Sequence, residues 1–239
     1  MRIAILLGWL LVPVLAGAYH YGPGQQRLLE DDVAAILREA DALAAAEDWP
    51  AAVERYEAAL KLVPAERIGE ARAIRLEHAK ARMHAGQMPE AYADLQDLVD
   101  EAARDESADP ALLAEAQATL ANCRYYLTWL MRLEGRPREE WEPEIEGARQ
   151  TYRLLAEQAA DAGDAAVSRA RQEDLESAVR LARLDLSELQ ALPLPSQCKG
   201  CCSGQCKRPG KKRGQSPQGQ EKKDARGASS GPPPDGRGS

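Results

Sequence analysis

Apolar residues recur along the middle of the chain at the three- and four-residue spacing of amphipathic helices. The first such stripe, in residues 26–46, consists of Leu29, Val33, Ile36, Ala40 and Leu43. It lies beside an acidic face, as expected for a helix packed on one side. Six further segments repeat this periodicity, and short runs containing Pro, Gly or Asp separate them. The pattern predicts an all-α fold of seven helices, of which the third spans 66–85, the fifth 110–134 and the seventh 164–192.

The second segment, residues 48–64, carries a distinctive order of small and bulky side chains. Ala52, Tyr56 and Ala59 follow one another at +4 and +3, so they share one helical face. Small residues allow a neighbouring helix to approach closely, and Tyr56 fills the space between them. Pro64 ends the helix, because the residue before a proline is driven out of helical geometry. One helix pair cannot bury such a face alone, so further pairs are expected to pack against it.

This order resembles the second helix of the tetratricopeptide repeat, which has a small, a bulky and a small residue followed by a closing proline. A second match lies in residues 86–98, where Ala91 and Leu95 take the small and bulky places. Leu98 stands where the family has a small residue. The two matches are 39 residues apart, compared with about 34 in the family, and residues 65–70 accommodate the difference.

The resemblance implies antiparallel helix pairs stacked as a short α-solenoid, which presents a groove to a protein or peptide partner. The best repeat matches are 30–64 and 70–104; a degenerate match covers 110–161, and 164–192 is a capping helix, giving a helical domain over 26–192. Aromatic anchors often dominate binding surfaces. The candidates for partner contact are Tyr92, Tyr125, Tyr126 and Trp129. Packing between helices is the competing interpretation for each of them.

Residues 1–25 have the pattern of an export element. Arg2 precedes sixteen residues without charge, 3–18, whose last three, Ala-Gly-Ala, resemble a signal-peptidase site. The uncharged run continues beyond that site and contains aromatic residues suited to a membrane interface, which favours a single membrane anchor over a cleaved signal. We therefore expect an inner-membrane anchor with the body facing the periplasm. If the segment is cleaved, the body is periplasmic or secreted.

Charge divides the chain into an acidic body and a basic tail. Residues 199–239 contain ten Lys or Arg and three Asp or Glu, so they carry +7 while the rest carries −14. Residues 193–239 are rich in Pro, Gly, Ser, Gln and basic residues, a composition that buries too little apolar surface to order the chain. We predict a disordered, solvated tail, for which contact with anionic surfaces is the alternative interpretation. The acidic body argues against a nucleic-acid binder.

Four cysteines lie within nine residues of this tail, at Cys198, Cys201, Cys202 and Cys206. Their four sulfurs suffice for one tetrahedral zinc ion, and soft thiolates also suit Cu(I) or an iron–sulfur centre. The adjacency of Cys201 and Cys202 strains simultaneous coordination. In an exported protein, two local disulfides are an equal or better explanation, and free or lipidated thiols are a third. A metal-binding or redox protein acting through this cluster is therefore the alternative function.

The sequence lacks the common catalytic motifs: a phosphate-binding glycine loop, a G-x-S-x-G elbow and an H-E-x-x-H pair. Cys123 continues the apolar stripe of the fifth helix, so it is interpreted as a small buried hydrophobe. His78 and His84 are six residues apart and fall on different helical faces, unlike a metal-binding pair. The carboxylates in 139–146 are interpreted as a solvated face. The sequence therefore predicts a non-catalytic interaction scaffold.

Overall fold

The structure is a computed structural model that describes residues 9, 12 and 23–193. These residues form eight α-helices and no strand, so the predicted all-α class is confirmed. The helices are α1 (Pro23–Ala45), α2 (Trp49–Leu62), α3 (Ile68–His84), α4 (Met88–Arg104), α5 (Pro110–Leu133), α6 (Arg138–Asp161), α7 (Ala165–Arg183) and α8 (Leu186–Gln190).

The ends of α2 follow from its sequence. Asp48 is the N-cap, and its carboxylate accepts a hydrogen bond from the backbone N–H of Ala51. Pro50 lies in the first turn, where its missing N–H costs no helical hydrogen bond. At the other end, Val63 adopts φ −66° and ψ 124° directly before Pro64, which is extended backbone rather than helix. Pro64 therefore ends α2 as the sequence predicts.

The residues of the repeat pattern lie in the interior. Ala52, Ala59, Ala91 and Leu95 are fully buried, and Tyr56 is 3% exposed. The Tyr56 hydroxyl lies 2.6 Å from Asp41 Oδ1 of α1, to which it donates a hydrogen bond, so the buried ring keeps its polar end satisfied. The alternation of small and bulky side chains thus sets the contact between α2 and its neighbours.

Packing follows the order of the chain. Each helix from α1 to α6 contacts the next one in sequence. In addition, α3 contacts α5, and α5 contacts α8. The buried apolar residues fall into three clusters, which lie across α1–α3, across α3–α5 and across α5–α8. Helix α3 contributes to the first two clusters, and α5 contributes to the last two. The core is therefore a chain of three clusters linked by these two helices.

The C-terminal helix differs from the prediction. The expected single helix over 164–192 is broken, because Leu184 is extended and Asp185 begins α8 with a capping box. The Asp185 carboxylate accepts from the backbone N–H of Glu188, and the Glu188 carboxylate accepts from that of Asp185. Arg132 of α5 donates to the backbone carbonyls of Leu181 and Leu184, which satisfies the exposed end of α7.

The break also changes which side chains the segment buries. The apolar spacing of residues 164–192 predicts a buried stripe of Leu175, Val179, Ala182, Leu186 and Leu189. Of these only Leu189 is fully buried, while Leu186 is 43% exposed. In α7 the fully buried apolar residues are instead Ala178 and Leu181. The turn before α8 leaves Leu189 in the cluster that also contains side chains of α5.

Helices α3 and α4 are joined by an ion-pair network around Arg72, which is 5% exposed. Its guanidinium donates to Asp105 Oδ2 at 2.6 Å and to Glu101 Oε1 at 3.2 Å. Asp105 also accepts hydrogen bonds from the backbone N–H and the hydroxyl of Ser107. Together the Ser107 and Arg72 hydrogen bonds hold the pKa of Asp105 at about 2.

Within the described part of the chain, no helix combines the length and the apolar character needed to cross a membrane. Of the predicted export element, residues 1–25, the structure describes only residues 9, 12 and 23–25. The last three already belong to α1. The predicted disordered tail, including its four clustered cysteines, also lies outside them from residue 194 onward.

Enlarging a side chain at the α2 contact should destabilise the fold. Ala59 is fully buried against neighbouring helices, so we expect Ala59→Leu to lower the free energy of unfolding by about 1–3 kcal/mol through overpacking. Ala35→Leu, at an exposed position of α1, is the matched control and should change it by less than about 0.5 kcal/mol. Urea unfolding followed by circular dichroism measures both, and equal effects would contradict the assigned packing.

Asp105→Asn should reduce stability in a pH-dependent way. The folded-state pKa of Asp105, about 2, lies below its ordinary value of 3.8. Its stabilising contribution is therefore complete above the ordinary pKa and is lost as the pH falls through about 2. We expect a lower melting temperature for the variant at pH 7 and convergence with the parent chain near pH 2. Asp97→Asn, at an exposed position of α4, should track the parent at every pH.

Candidate partner-binding surface

The four predicted partner-binding aromatics lie in three different environments. Tyr125 and Trp129 of α5 are each 5% exposed and belong to the cluster across α5–α8. Their ring centroids are 6.1 Å apart at an interplanar angle of 54°, a tilted arrangement typical of aromatic packing. A partner cannot touch either ring without separating α5 from α6. Their environment is that of packing residues between helices.

Tyr92 of α4 is half-buried and tied to α6. Its hydroxyl donates to the carboxylate of Glu144, 2.8 Å from Oε2, and accepts from Gln96 Nε2 at 3.0 Å. Burial first, and then the hydrogen bond and negative charge of Glu144, raise the pKa of the Tyr92 hydroxyl. Because its polar atom is already engaged, this tyrosine holds α4 to α6.

Arg124 completes the Tyr92 contact from α5. Its guanidinium carbon lies 5.9 Å from the centre of the Tyr92 ring, and its Nε lies 3.5 Å from Glu144 Oε2. A Cβ atom at Gly147 of α6 would collide with Arg124 Nη1. The absence of a side chain at Gly147 therefore makes room for the arginine. Helices α4, α5 and α6 are joined at this point by one charged cluster.

Tyr126 lies on another side of α5. Glu115, Asn122 and Tyr126 are seven and four residues apart, so they share one face of the helix. Tyr126 is half-buried, and its hydroxyl makes no hydrogen bond to the residues that the structure describes. Asn122 is oriented by Tyr152 of α6, whose hydroxyl donates to Asn122 Oδ1 at 2.6 Å. A fixed amide and an available phenol thus occupy the same side.

Lys80 connects this side of α5 with α3. Its ammonium group donates to Glu115 Oε1 at 2.6 Å and to Glu77 Oε1 at 2.7 Å. Burial opposes the charge, but the hydrogen bonds to the two carboxylates outweigh it and raise the pKa of Lys80. We define the α3–α5 face as Glu77, Lys80, Glu115, Asn122 and Tyr126. This face combines the amphipathic ring of Tyr126 with polar groups. Its two carboxylates, Glu77 and Glu115, outnumber the single ammonium group of Lys80.

The α3–α5 face was only partly predictable, since Tyr126 was a candidate but Lys80, Glu115 and Asn122 were not. The signal in the sequence is the polar spacing of 115, 119, 122 and 126 along α5. It marks a side of the helix distinct from the apolar stripe. The contribution of Lys80 depends on which faces of α3 and α5 meet, and periodicity does not specify that.

The remaining reactive side chains are engaged in packing. Cys123 is fully buried with its Sγ 3.3 Å from Met88 Sδ, and burial raises the pKa of the thiol to about 12. The group is therefore not a thiolate near neutral pH. His84 stacks on Trp49 with ring centroids 4.2 Å apart. His78 is 6% exposed, and burial, followed by the charge of Arg82, lowers the pKa of its imidazole.

Among the described residues, no group of three or more His, Cys, Asp or Glu side chains is arranged to hold a metal ion. The predicted zinc or disulfide cluster at Cys198, Cys201, Cys202 and Cys206 lies outside the described residues. Comparison with known proteins finds no matching family model, no matching curated protein and no matching solved structure.

Replacing each tyrosine hydroxyl should distinguish the two half-buried rings. We expect Tyr92→Phe to lower the free energy of unfolding by about 1 kcal/mol, because it removes the hydrogen bond to Glu144. Tyr126→Phe, which removes a hydroxyl without such a bond, should change it by less than about 0.5 kcal/mol. Chemical denaturation of both variants gives the comparison. A larger loss for Tyr126→Phe would show that its hydroxyl, too, has a structural role.

Proposed function

We propose that this chain is a non-catalytic interaction scaffold whose helix pairs stack as a short tetratricopeptide-like α-solenoid and hold a protein or peptide partner. The observation that carries the proposal is the packing order. Each helix from α1 to α6 packs on its successor, and α3 also reaches α5 across the intervening helix. In a row of stacked pairs, the first helix of one pair meets the first helix of the next, which is the relation of α3 to α5.

The α3–α5 face is the proposed partner-binding surface. Tyr126 offers apolar area and a hydroxyl at a small cost in conformational entropy, which favours tyrosine at binding surfaces. Glu77 and Glu115 retain an excess of negative charge over Lys80, and outside residues 199–239 the chain carries −14. A partner segment with a basic residue beside an apolar one matches both properties.

In the proposed arrangement, residues 1–25 anchor the scaffold in a membrane and the helical body is exported. What supports this is the uncharged run behind Arg2, since a basic residue before an apolar segment favours the cytoplasmic side for its N-terminus. The scaffold then presents its α3–α5 face to partners in the compartment outside that membrane.

Site-specific photocrosslinking tests the surface. A photoreactive amino acid replaces Tyr126 in the full chain, expressed in its native envelope, and a matched chain carries it at Leu154. Leu154 is 44% exposed on α6 and lies outside the α3–α5 face. We expect one dominant protein adduct from position 126 and none of the same mass from position 154.

Charge reversal gives the second arm of the same test. Glu115→Lys places a cation next to Lys80 and removes a carboxylate from the surface. We expect it to reduce the adduct at position 126 at least about tenfold, because a like charge repels a basic partner. Glu157→Lys, at an exposed position of α6, is the control. Equal adducts from positions 126 and 154, or an adduct insensitive to Glu115→Lys, would contradict the proposed surface.

A further inference from the structure

An open groove of about 580 Å³ runs along α7 at its junction with α8. Most of its lining comes from one side of α7, and Leu184 together with Glu188 of α8 closes the other side. The lining residues are Leu175, Glu176, Val179, Arg180, Arg183, Leu184 and Glu188. Helix α7 packs on α6, and the turn at Leu184 and Asp185 directs the chain towards α5. This side of α7 is thus left uncovered by the described residues.

The charged residues of this groove are not neutralised locally. Glu176, Arg180 and Arg183 form no ion pair with any residue of the described chain. On the packed side of the same helix, by contrast, Arg171 Nη1 lies 3.0 Å from Asp174 Oδ2. Leu175 and Val179 are half-exposed between the groove charges. The groove therefore offers apolar area together with carboxylate and guanidinium groups available to a partner.

The order of these residues is self-complementary. When two α7 helices lie antiparallel across a two-fold axis between residues 179 and 180, each residue faces the one equally far beyond the axis. Glu176 then faces Arg183 of the second copy, and Leu175 faces Leu184 of the second copy. Val179 and Arg180 lie next to the axis, so each Val179 faces Arg180 of the second copy. The same contacts form twice, which is the requirement for an isologous interface.

We propose that a second copy of this chain occupies the groove, with the two α7 helices antiparallel. The two Glu176–Arg183 pairs fix the register, and Leu175, Val179 and Leu184 supply the apolar area that becomes buried. Opposite charges placed in register favour this pairing over other alignments of the same helices.

The other segments of this chain fit the groove less well. Glu176 and Glu188 balance the two arginines of the groove, so its lining has no net charge to attract residues 199–239, which carry +7. Residues 3–18 carry no charge, so they would cover the groove charges without pairing them, which costs free energy. The groove and the α3–α5 face share no residue. Loss of the dimer would therefore leave the proposed partner binding intact, and each can fail separately.

Charge swaps test the pairing in the full 239-residue chain, kept in a mild nonionic detergent. We expect a reversible dimer for the parent chain by analytical ultracentrifugation. Glu176→Arg places an arginine opposite Arg183 in both pairs of the dimer, and Arg183→Glu places a glutamate opposite Glu176 in both. Each substitution should therefore raise the dimer dissociation constant at least about tenfold. The chain carrying both substitutions should regain the parent constant. Arg169→Glu, an exposed charge reversal on the same helix outside the groove, is the matched control.

Mixing the two single variants gives the sharper result. In the mixed dimer, the arginine introduced at position 176 meets the glutamate introduced at position 183, and the remaining Glu176 meets the remaining Arg183. Native mass spectrometry should therefore detect the heterodimer in preference to either homodimer. Circular dichroism verifies that each variant keeps its helical content.

Three results would overturn the proposal. The first is a parent chain that stays monomeric at every concentration. The second is a set of crosslinks showing the groove covered by residues 194–239. The third is a dimer that tolerates both single swaps, or mixed variants that fail to pair.

Discussion

The fold depends on two helices, α3 and α5, that each bury side chains in two apolar clusters. Ile74 and Ala81 of α3 belong to the cluster with α1 and α2, whereas Leu76, Ala79 and Met83 belong to the cluster with α4 and α5. On α5, Ala116, Leu120 and Cys123 lie in one cluster and Ala121, Tyr125 and Trp129 in the next. No helix pair is complete alone, since its core requires side chains from the following helix.

The double packing of α5 also determines which side chains remain available for binding. Consecutive residues of a helix are rotated by about 100°, so Tyr125 and Tyr126 cannot share an environment. One enters the cluster with α6, while the other lies on the α3–α5 face. Periodicity alone predicts that adjacent tyrosines differ, but not which one is buried. That assignment follows from the positions of α4 and α6 around α5.

The sequence predicted helix class and most helix ends because those depend on local interactions. Pro64 ends α2, and Asp109 with Pro110 begins α5. Gly86 follows α3 with φ +80°, a conformation that glycine adopts without strain. The break before α8 was missed, although Asp185 and Glu188 have the spacing of a capping box. Contacts between distant residues, such as Arg132 with Leu181 or Lys80 with Glu115, depend on which faces meet and were not predictable.

The chain of three clusters has a consequence for folding kinetics. Each cluster joins helices that are consecutive along the chain, and most contacts link a helix with the next one, so most of the loops that close are short. Loop-closure entropy is then small, and folding rates rise as contacts become more local. None of the three clusters contains side chains of both α1 and α8. Each helix can therefore pack on the preceding one as soon as it has been synthesised, while the rest of the polypeptide is still emerging from the ribosome.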